Sequence, residues 1–155
     1  MFNKIRPLLF LSVLAANLAQ AQIINAAHWA YGLKKIADNT YEVHLQCTID
    51  KGWHIYAQEQ TADFVGTATK ITFIPSSGLT LIGKPAEIGE KETYKVPDAG
   101  ITNNELLGKV DFVQKVELKP GLKMIRGVII YQTCTHEKCL TEQKLNFTIP
   151  VPDNN

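Results

Sequence analysis

The sequence lacks the features that mark several large classes of protein. Its 16 basic and 15 acidic residues leave a formal net charge of +1, so the charge balance gives no reason to expect a nucleic-acid partner. The mean hydropathy of −0.06 argues against a polytopic membrane protein. The 10 glycines and 7 prolines follow no repeat, which excludes collagen-like and low-complexity chains. A length of 155 residues then corresponds to one ordinary folded domain.

Residues 1–21 have the three-part layout of a secretory signal peptide. Lys4 and Arg6 give a positive start, an apolar run covers residues 8–18, and Ala19-Gln20-Ala21 is an A-x-A cleavage pattern. The alternative is an N-terminal core helix, but the three parts occur in the order that export requires. No later run approaches the roughly 18 apolar residues of a membrane helix. We therefore expect residues 22–155 to form one exported, soluble domain without a membrane span.

The rest of the sequence shows the two-residue periodicity of β-strands. Over residues 40–50, apolar and polar side chains alternate strictly, which is typical of a half-buried strand. Its apolar face consists of Tyr41, Val43, Leu45, Cys47 and Ile49. Further strands are predicted at residues 29–36, 53–58, 70–74, 79–82, 110–118, 123–132 and 144–151.

About eight short strands separated by turns predict an all-β fold, an antiparallel β-sandwich. Turns are expected at residues 75–78 (PSSG) and at Pro120-Gly121. Residues 83–105 are polar and are predicted to form a long loop or a frayed hairpin. Loops of that length in small domains are often functional.

The cysteines are the main candidates for chemistry. Three cysteines cannot all pair within one exported chain. Cys134 and Cys139 form a C-x4-C pair on a polar turn, and the spacing lets the chain fold back into a disulfide. His136 and Lys138 lie inside this turn, and positive charge beside a thiol stabilises the attacking thiolate. Cys47 lies on an apolar strand face and is predicted to be a small buried hydrophobic residue.

The residues alone leave several interpretations of the cysteine pair open. It could be a redox couple. It could also be a structural staple in a secreted binding or adhesion module, although so short a ring removes little chain entropy. Alternatively, Cys47 could bridge two sheets by pairing with Cys134 or Cys139.

A metal site is a further alternative. Cys134, His136 and Cys139 could supply three ligands, with His54 or His44 as the fourth. The signal is weak because the paired C-x2-C motifs of structural zinc sites are missing, so no metal is predicted. His28, His44 and His54 are interpreted as surface or strand-face residues, and no nucleotide-binding or hydrolase motif is present.

Three segments together resemble a known family. Residues 128–140 (VIIYQTCTHEKCL), 50–56 (DKGWHIY) and 108–116 (GKVDFVQKV) are similar, in order and distance, to the N-terminal domain of the DsbD family of bacterial thiol:disulfide interchange proteins. The resemblance covers most of residues 28–151 and is much more specific than C-x4-C alone.

This resemblance implies an immunoglobulin-like β-sandwich in the periplasm that acts as a thiol:disulfide oxidoreductase. Its cysteine pair would pass electrons to thioredoxin-like periplasmic partners through mixed disulfides, with no cofactor. By position, Cys139 would form the mixed disulfide and Cys134 would resolve it. The family's cap loop would correspond to the polar segment with Tyr94 and Glu92. Tyr56, Tyr131 and His136 would line the site.

The sequence also departs from the family pattern. Leu140-Thr141-Glu142 stands where the family has Leu/Tyr-Pro-Pro, and residues 63–67 (DFVGT) replace a Gly-Pro-x-Pro segment. The sequence ends at Asn155 without the membrane and thioredoxin domains that usually accompany this module. We therefore expect a separate membrane protein to supply the electrons.

Overall fold

The computed structural model describes residues 24–97 and 99–152, and the predicted signal peptide lies outside them. Within these residues the chain is all-β, without a helix, as predicted. Its nine described strands are β1 (Ala27–Ala37), β2 (Thr40–Ile49), β3 (His54–Tyr56), β4 (Lys70–Phe73), β5 (Leu79–Val96), β6 (Ile101–Leu118), β7 (Met124–Tyr131), β8 (Thr133–Cys134) and β9 (Gln143–Pro150). No helix in this part of the chain could span a membrane.

The strands form two antiparallel sheets around one core. One sheet has six strands in the order β1-β2-β6-β3-β8, with β5 also paired to β6, and the other has the order β4-β7-β9. Strand β6 is central because β5 pairs along one edge, while β2 and β3 share the other edge. This arrangement confirms the predicted antiparallel β-sandwich.

The alternating pattern of the sequence places the core correctly. All five apolar-face residues of β2 are buried, and Val110, Phe112 and Val116 of β6 are 0% exposed. Ile129 of β7 and Phe147 of β9 cover them from the second sheet. Burying such faces removes apolar surface from water, which is the main favourable contribution to folding.

Cys47 belongs to this core. Its side chain is 0% exposed and forms no disulfide, which confirms the prediction of a small buried residue. Burial raises the pKa of this thiol to about 12. The inter-sheet bridge through Cys47 is therefore wrong, because the cysteine disulfide joins Cys134 to Cys139.

The polar segment at residues 83–105 is an ordered hairpin, so the long-loop alternative is wrong. It forms the second half of β5, a turn, and the first part of β6. Register shifts between Ile82 and Ala86 and between Ile88 and Glu90 interrupt the pairing. At the first shift the buried Gln114 side chain donates a hydrogen bond to the Ile82 carbonyl at 2.9 Å. The hairpin was hard to predict because most of its side chains are exposed and alternation is weak.

Close contact between neighbouring strands of the β4-β7-β9 sheet at Gly127 gives a testable prediction. A Cβ atom there would collide with the Phe147 ring and lie 2.6 Å from the Thr72 carbonyl oxygen. We expect Gly127→Ala to lower the free energy of unfolding by about 1–3 kcal/mol, because overpacking forces backbone shifts. Urea denaturation measures the change. In the matched control, Gly32→Ala, the new Cβ would meet its nearest atom at 3.9 Å, so stability should not fall. Equal losses in both variants would contradict this packing argument.

Candidate redox site

The candidate site is a disulfide at one end of the six-stranded sheet. Cys134 and Cys139 are bonded, with Cα atoms 4.0 Å apart. Cys134 ends the short strand β8, where it pairs with His54 of β3. The pairing between β3 and β6 fixes β3 in turn, so the disulfide is anchored to the central strand.

The turn between the cysteines is held by backbone and side-chain hydrogen bonds. The Thr135 amide donates to the Lys138 carbonyl at 2.8 Å, and the Leu140 amide donates to the Thr133 carbonyl at 2.9 Å. The Thr135 hydroxyl oxygen accepts from the amides of Glu137 at 3.2 Å and Lys138 at 3.1 Å. A side-chain oxygen that accepts backbone N–H groups in this way stabilises a tight turn.

The two sulfur-bearing residues differ sharply in exposure. Cys134 is 0% exposed, whereas Cys139 is exposed at the surface. The Tyr56 hydroxyl lies 3.7 Å from Cys139 Sγ, within reach of an O–H···S contact. Burial raises the pKa of Tyr56, so its hydroxyl stays protonated at neutral pH. Because Cys134 is buried and Cys139 is exposed, an external thiol or disulfide would reach Cys139 first.

A shallow cavity of about 240 Å³ opens beside Cys139. Its walls come from β3, from the hairpin of β5 and β6, and from the cysteine turn, and they include Tyr56, Tyr94, Glu105 and His136. The Tyr94 ring stacks on the His136 ring, with centroids 3.8 Å apart and planes within 4°. The hairpin thus contacts the cysteine turn directly.

The other predicted site residues lie outside this cavity. The Glu92 side chain is exposed on β5, at a position paired with Glu105 of β6. Tyr131 is buried in the core, with its ring 5.3 Å from that of Trp29. Lys138, in contrast, lines the cavity, and its ammonium group lies over the Trp53 ring, 5.7 Å from its centroid.

A buried polar cluster forms the floor of the cavity. Glu105 is 1% exposed, and its Oε2 atom lies 3.1 Å from His136 Nε2 and 3.4 Å from His54 Nδ1. His54 is 4% exposed, so its interpretation as a surface or strand-face residue is wrong in this respect. Burial lowers the pKa of His54 to about 4, and the neighbouring His136 adds to the shift. His54 is therefore a neutral imidazole at pH 7.

The sequence contained only weak signals for this cluster. Glu105 ends the segment predicted to be a loop or a frayed hairpin, where an acidic residue is usually solvated. His54 sits in a strand with all three residues buried, so alternation did not mark its face. The predicted metal alternative also differs from the structure. Cys134 and Cys139 are bonded to each other, and His44 instead lies 2.8 Å from Asp111 on the β2–β6 pair.

The structure also shows a second wall of the site, beside Tyr56, that the sequence did not predict. The Phe64 ring packs edge-on against Tyr56, with centroids 4.9 Å apart. Gln132 joins this wall to the cysteine turn, because its side-chain oxygen accepts from the Thr67 amide at 3.1 Å and its Nε2 donates to the Leu140 carbonyl at 3.1 Å. Phe64 lies in the DFVGT segment that departs from the family pattern, so the family resemblance did not predict a role for it.

Comparisons with known proteins agree with this architecture. No family model and no curated protein matches the chain. The fold is similar to the N-terminal periplasmic domain of ScsB from Proteus mirabilis, with a TM-score of 0.54, 19% identity, and coverage of 79% of this chain and 46% of that one. It is also similar to the DsbD N-terminal domain of Neisseria meningitidis in the reduced form, with a TM-score of 0.50, 18% identity, and coverage of 79% and 85%.

These likenesses establish the fold. The chain is an all-β, immunoglobulin-like sandwich of the type found in the N-terminal domains of DsbD and ScsB, as the resemblance implied. It spans about half the length of the ScsB domain, 46%. At this level of identity the sites must be argued from the residues themselves.

The stacking of Tyr94 on His136 gives a prediction about access to the sulfurs. We expect Tyr94→Ala to raise the rate at which iodoacetamide alkylates the reduced protein, because the ring lines the cavity beside Cys139 and its loss would widen the approach to the sulfur. Tyr94→Phe keeps the ring and should retain the wild-type rate. Thr93→Ala, on the opposite face of β5, is the matched control. An unchanged rate in Tyr94→Ala would place the cover elsewhere.

Proposed function

We propose that this chain is a periplasmic thiol:disulfide exchange domain that relays electrons to thioredoxin-like partners through Cys134 and Cys139. The observation that carries the proposal is the asymmetric disulfide, in which one cysteine is exposed and the other is 0% exposed. Exchange needs an accessible sulfur that forms the mixed disulfide and a second sulfur that resolves it, and burial of the second keeps it out of a partner's reach. The fold shared with the DsbD and ScsB domains supports this proposal.

The exchange consists of two substitutions at sulfur. In the reduced domain, the Cys139 thiolate attacks the partner disulfide, so a Cys139–partner S–S bond forms and the partner S–S bond breaks. The Cys134 thiolate then attacks Cys139 Sγ, closing the intramolecular disulfide and releasing the second partner thiolate. Two electrons pass to the partner, whose two sulfurs take up protons to become thiols. Because the electrons reside on sulfur, no cofactor is required.

The aromatic side chains around Cys139 would control access to it. Tyr56 contacts the sulfur, and Tyr94 holds the His136 ring at the mouth of the cavity. We assign a cap role to the β5–β6 hairpin, with Tyr94 as its contact residue and Glu92 as a charged neighbour on the same strand. Displacing the hairpin would let a partner dock against the cysteine turn.

The proposed cellular setting rests on the predicted signal peptide. Residues 1–21 would direct export and be removed, leaving the domain in the periplasm, an oxidising compartment. There a reduced thiol pair must be recharged by a dithiol donor. A separate membrane protein with a thioredoxin-like exchange domain has the chemistry for this step.

The reduction potential of the Cys134–Cys139 couple distinguishes exchange from structural stapling. Structural disulfides lie below about −300 mV, whereas exchanging thiols span about −180 to −270 mV. We expect a value in the second range, measured by equilibration with glutathione or dithiothreitol and alkylation of free thiols. A value well below −300 mV would support a binding or adhesion module with a structural disulfide.

Trapping tests the separate roles of the two cysteines. Cys134→Ala leaves Cys139 exposed without its resolving partner, so it should accumulate a mixed disulfide with an oxidised thioredoxin-fold protein on non-reducing gels. Cys139→Ala is the matched control. It retains only Cys134 and Cys47, both 0% exposed, and should form no adduct. Equal trapping by both variants, or by neither, would refute this assignment.

A further inference from the structure

The floor of the cavity has the composition of a metal site. His54, Glu105 and His136 each offer one ligand atom, and these atoms all lie within 4.8 Å of one another. Two imidazole nitrogens and one carboxylate oxygen form the His2Glu set that binds Zn²⁺ with an open coordination position. The three residues come from β3, β6 and the cysteine turn, so the fold rather than a local motif brings them together.

The distances within the cluster also suit a zinc ion. Ligands at about 2.0–2.2 Å from a tetrahedral zinc lie about 3.3–3.6 Å from one another. Glu105 Oε2 is 3.1 Å from His136 Nε2 and 3.4 Å from His54 Nδ1. Two of the three separations are thus close to those around a tetrahedral zinc ion, and the third is within 4.8 Å.

An unsatisfied carboxylate oxygen in the cluster is independent support for a ligand. Glu105 Oε1 is buried without a hydrogen-bond partner among the described residues. The Glu105 side chain is 1% exposed and lines the cavity. A buried carboxylate is costly unless a charge or several hydrogen bonds compensate it. A divalent cation would supply that compensation.

We propose that His54, Glu105 and His136 form a Zn²⁺ site beside the disulfide, with the fourth position open to the cavity. The Tyr94 ring, stacked on His136, would orient that ligand without blocking its Nε2 atom, which faces Glu105. Such support from outside the ligand set is usual in protein metal sites. This proposal does not depend on the redox role of the cysteines.

The chain offers a matched control elsewhere in the same sheet. His44 lies 2.8 Å from Asp111 through Nδ1 and 3.6 Å from Glu42 through Nε2. The two carboxylates thus face different ring nitrogens, so one ion cannot bind both carboxylates together with the imidazole. His44→Gln should leave zinc affinity unchanged.

The experiment is calorimetric titration of the oxidised chain with Zn²⁺ alone, where the disulfide removes two thiols from competition. We expect one ion per chain for the wild type and for His44→Gln. Glu105→Gln and His136→Gln should each weaken binding at least tenfold, a loss on the order of that seen when supporting residues of zinc sites are changed.

Two results would overturn the proposal: no one-to-one binding by the wild type, or unchanged affinity in His136→Gln. His136 is half exposed, with 49% of its side chain accessible, so that variant should fold even if the buried Glu105→Gln does not. Because titration of the oxidised chain involves no thiol exchange, its failure is distinguishable from failure of the redox proposal.

Discussion

Hydrogen bonding along both edges of β6 is the constraint on which the rest of the structure depends. β5 pairs with one edge from Ile101 to Leu118, while β2 and then β3 occupy the other. The pairing with β2 builds the apolar core. The pairing with β3 extends the sheet to β8, which pairs with β3, and therefore positions Cys134. A single strand thus holds both the apolar core and the disulfide in place.

The same strand changes character along its length. Beyond β2 polar side chains are buried beside Leu106, with Asn103 6% exposed and Glu105 1% exposed. The transition coincides with Gly108, whose φ of 59° lies in the left-handed region that glycine adopts without steric cost. Polar side chains cost more free energy to bury than apolar ones. This end of β6 therefore contributes less to core packing, and it carries Glu105 of the polar cluster. Along the β2-paired part of β6 the buried residues are mainly apolar, with Val110, Phe112 and Val116 0% exposed, and the buried Gln114 side chain donates a hydrogen bond to the Ile82 carbonyl.

The sequence predicts most of the sandwich and only part of the site. Alternation located β2 and β9 because one face of each strand meets the core and the other meets water, whereas β7 was predicted from its β-branched and apolar residues. The strands of the β5–β6 hairpin were not predicted, because the β5 side chains are largely exposed and apolar and polar residues do not alternate there. Tyr94 was predicted as a cap residue from the family resemblance. Glu105 and His54 were not predicted as site residues, because only the pairing of β3 with β6 brings them together. Residues far apart in sequence meet only after the register of β6 is known.

The disulfide and the polar cluster share one structural element, the cysteine turn. His136 lies inside the ring that Cys134 and Cys139 close, and its imidazole reaches out of that ring to Glu105. Opening the disulfide would remove the covalent constraint on the turn, while the Thr135 hydrogen bonds and the Tyr94 stack would still restrain it. Any change that reduction causes in the position of His136 would alter what the cluster binds. By thermodynamic linkage, occupancy of the cluster would then shift the stability of the disulfide by the same free energy.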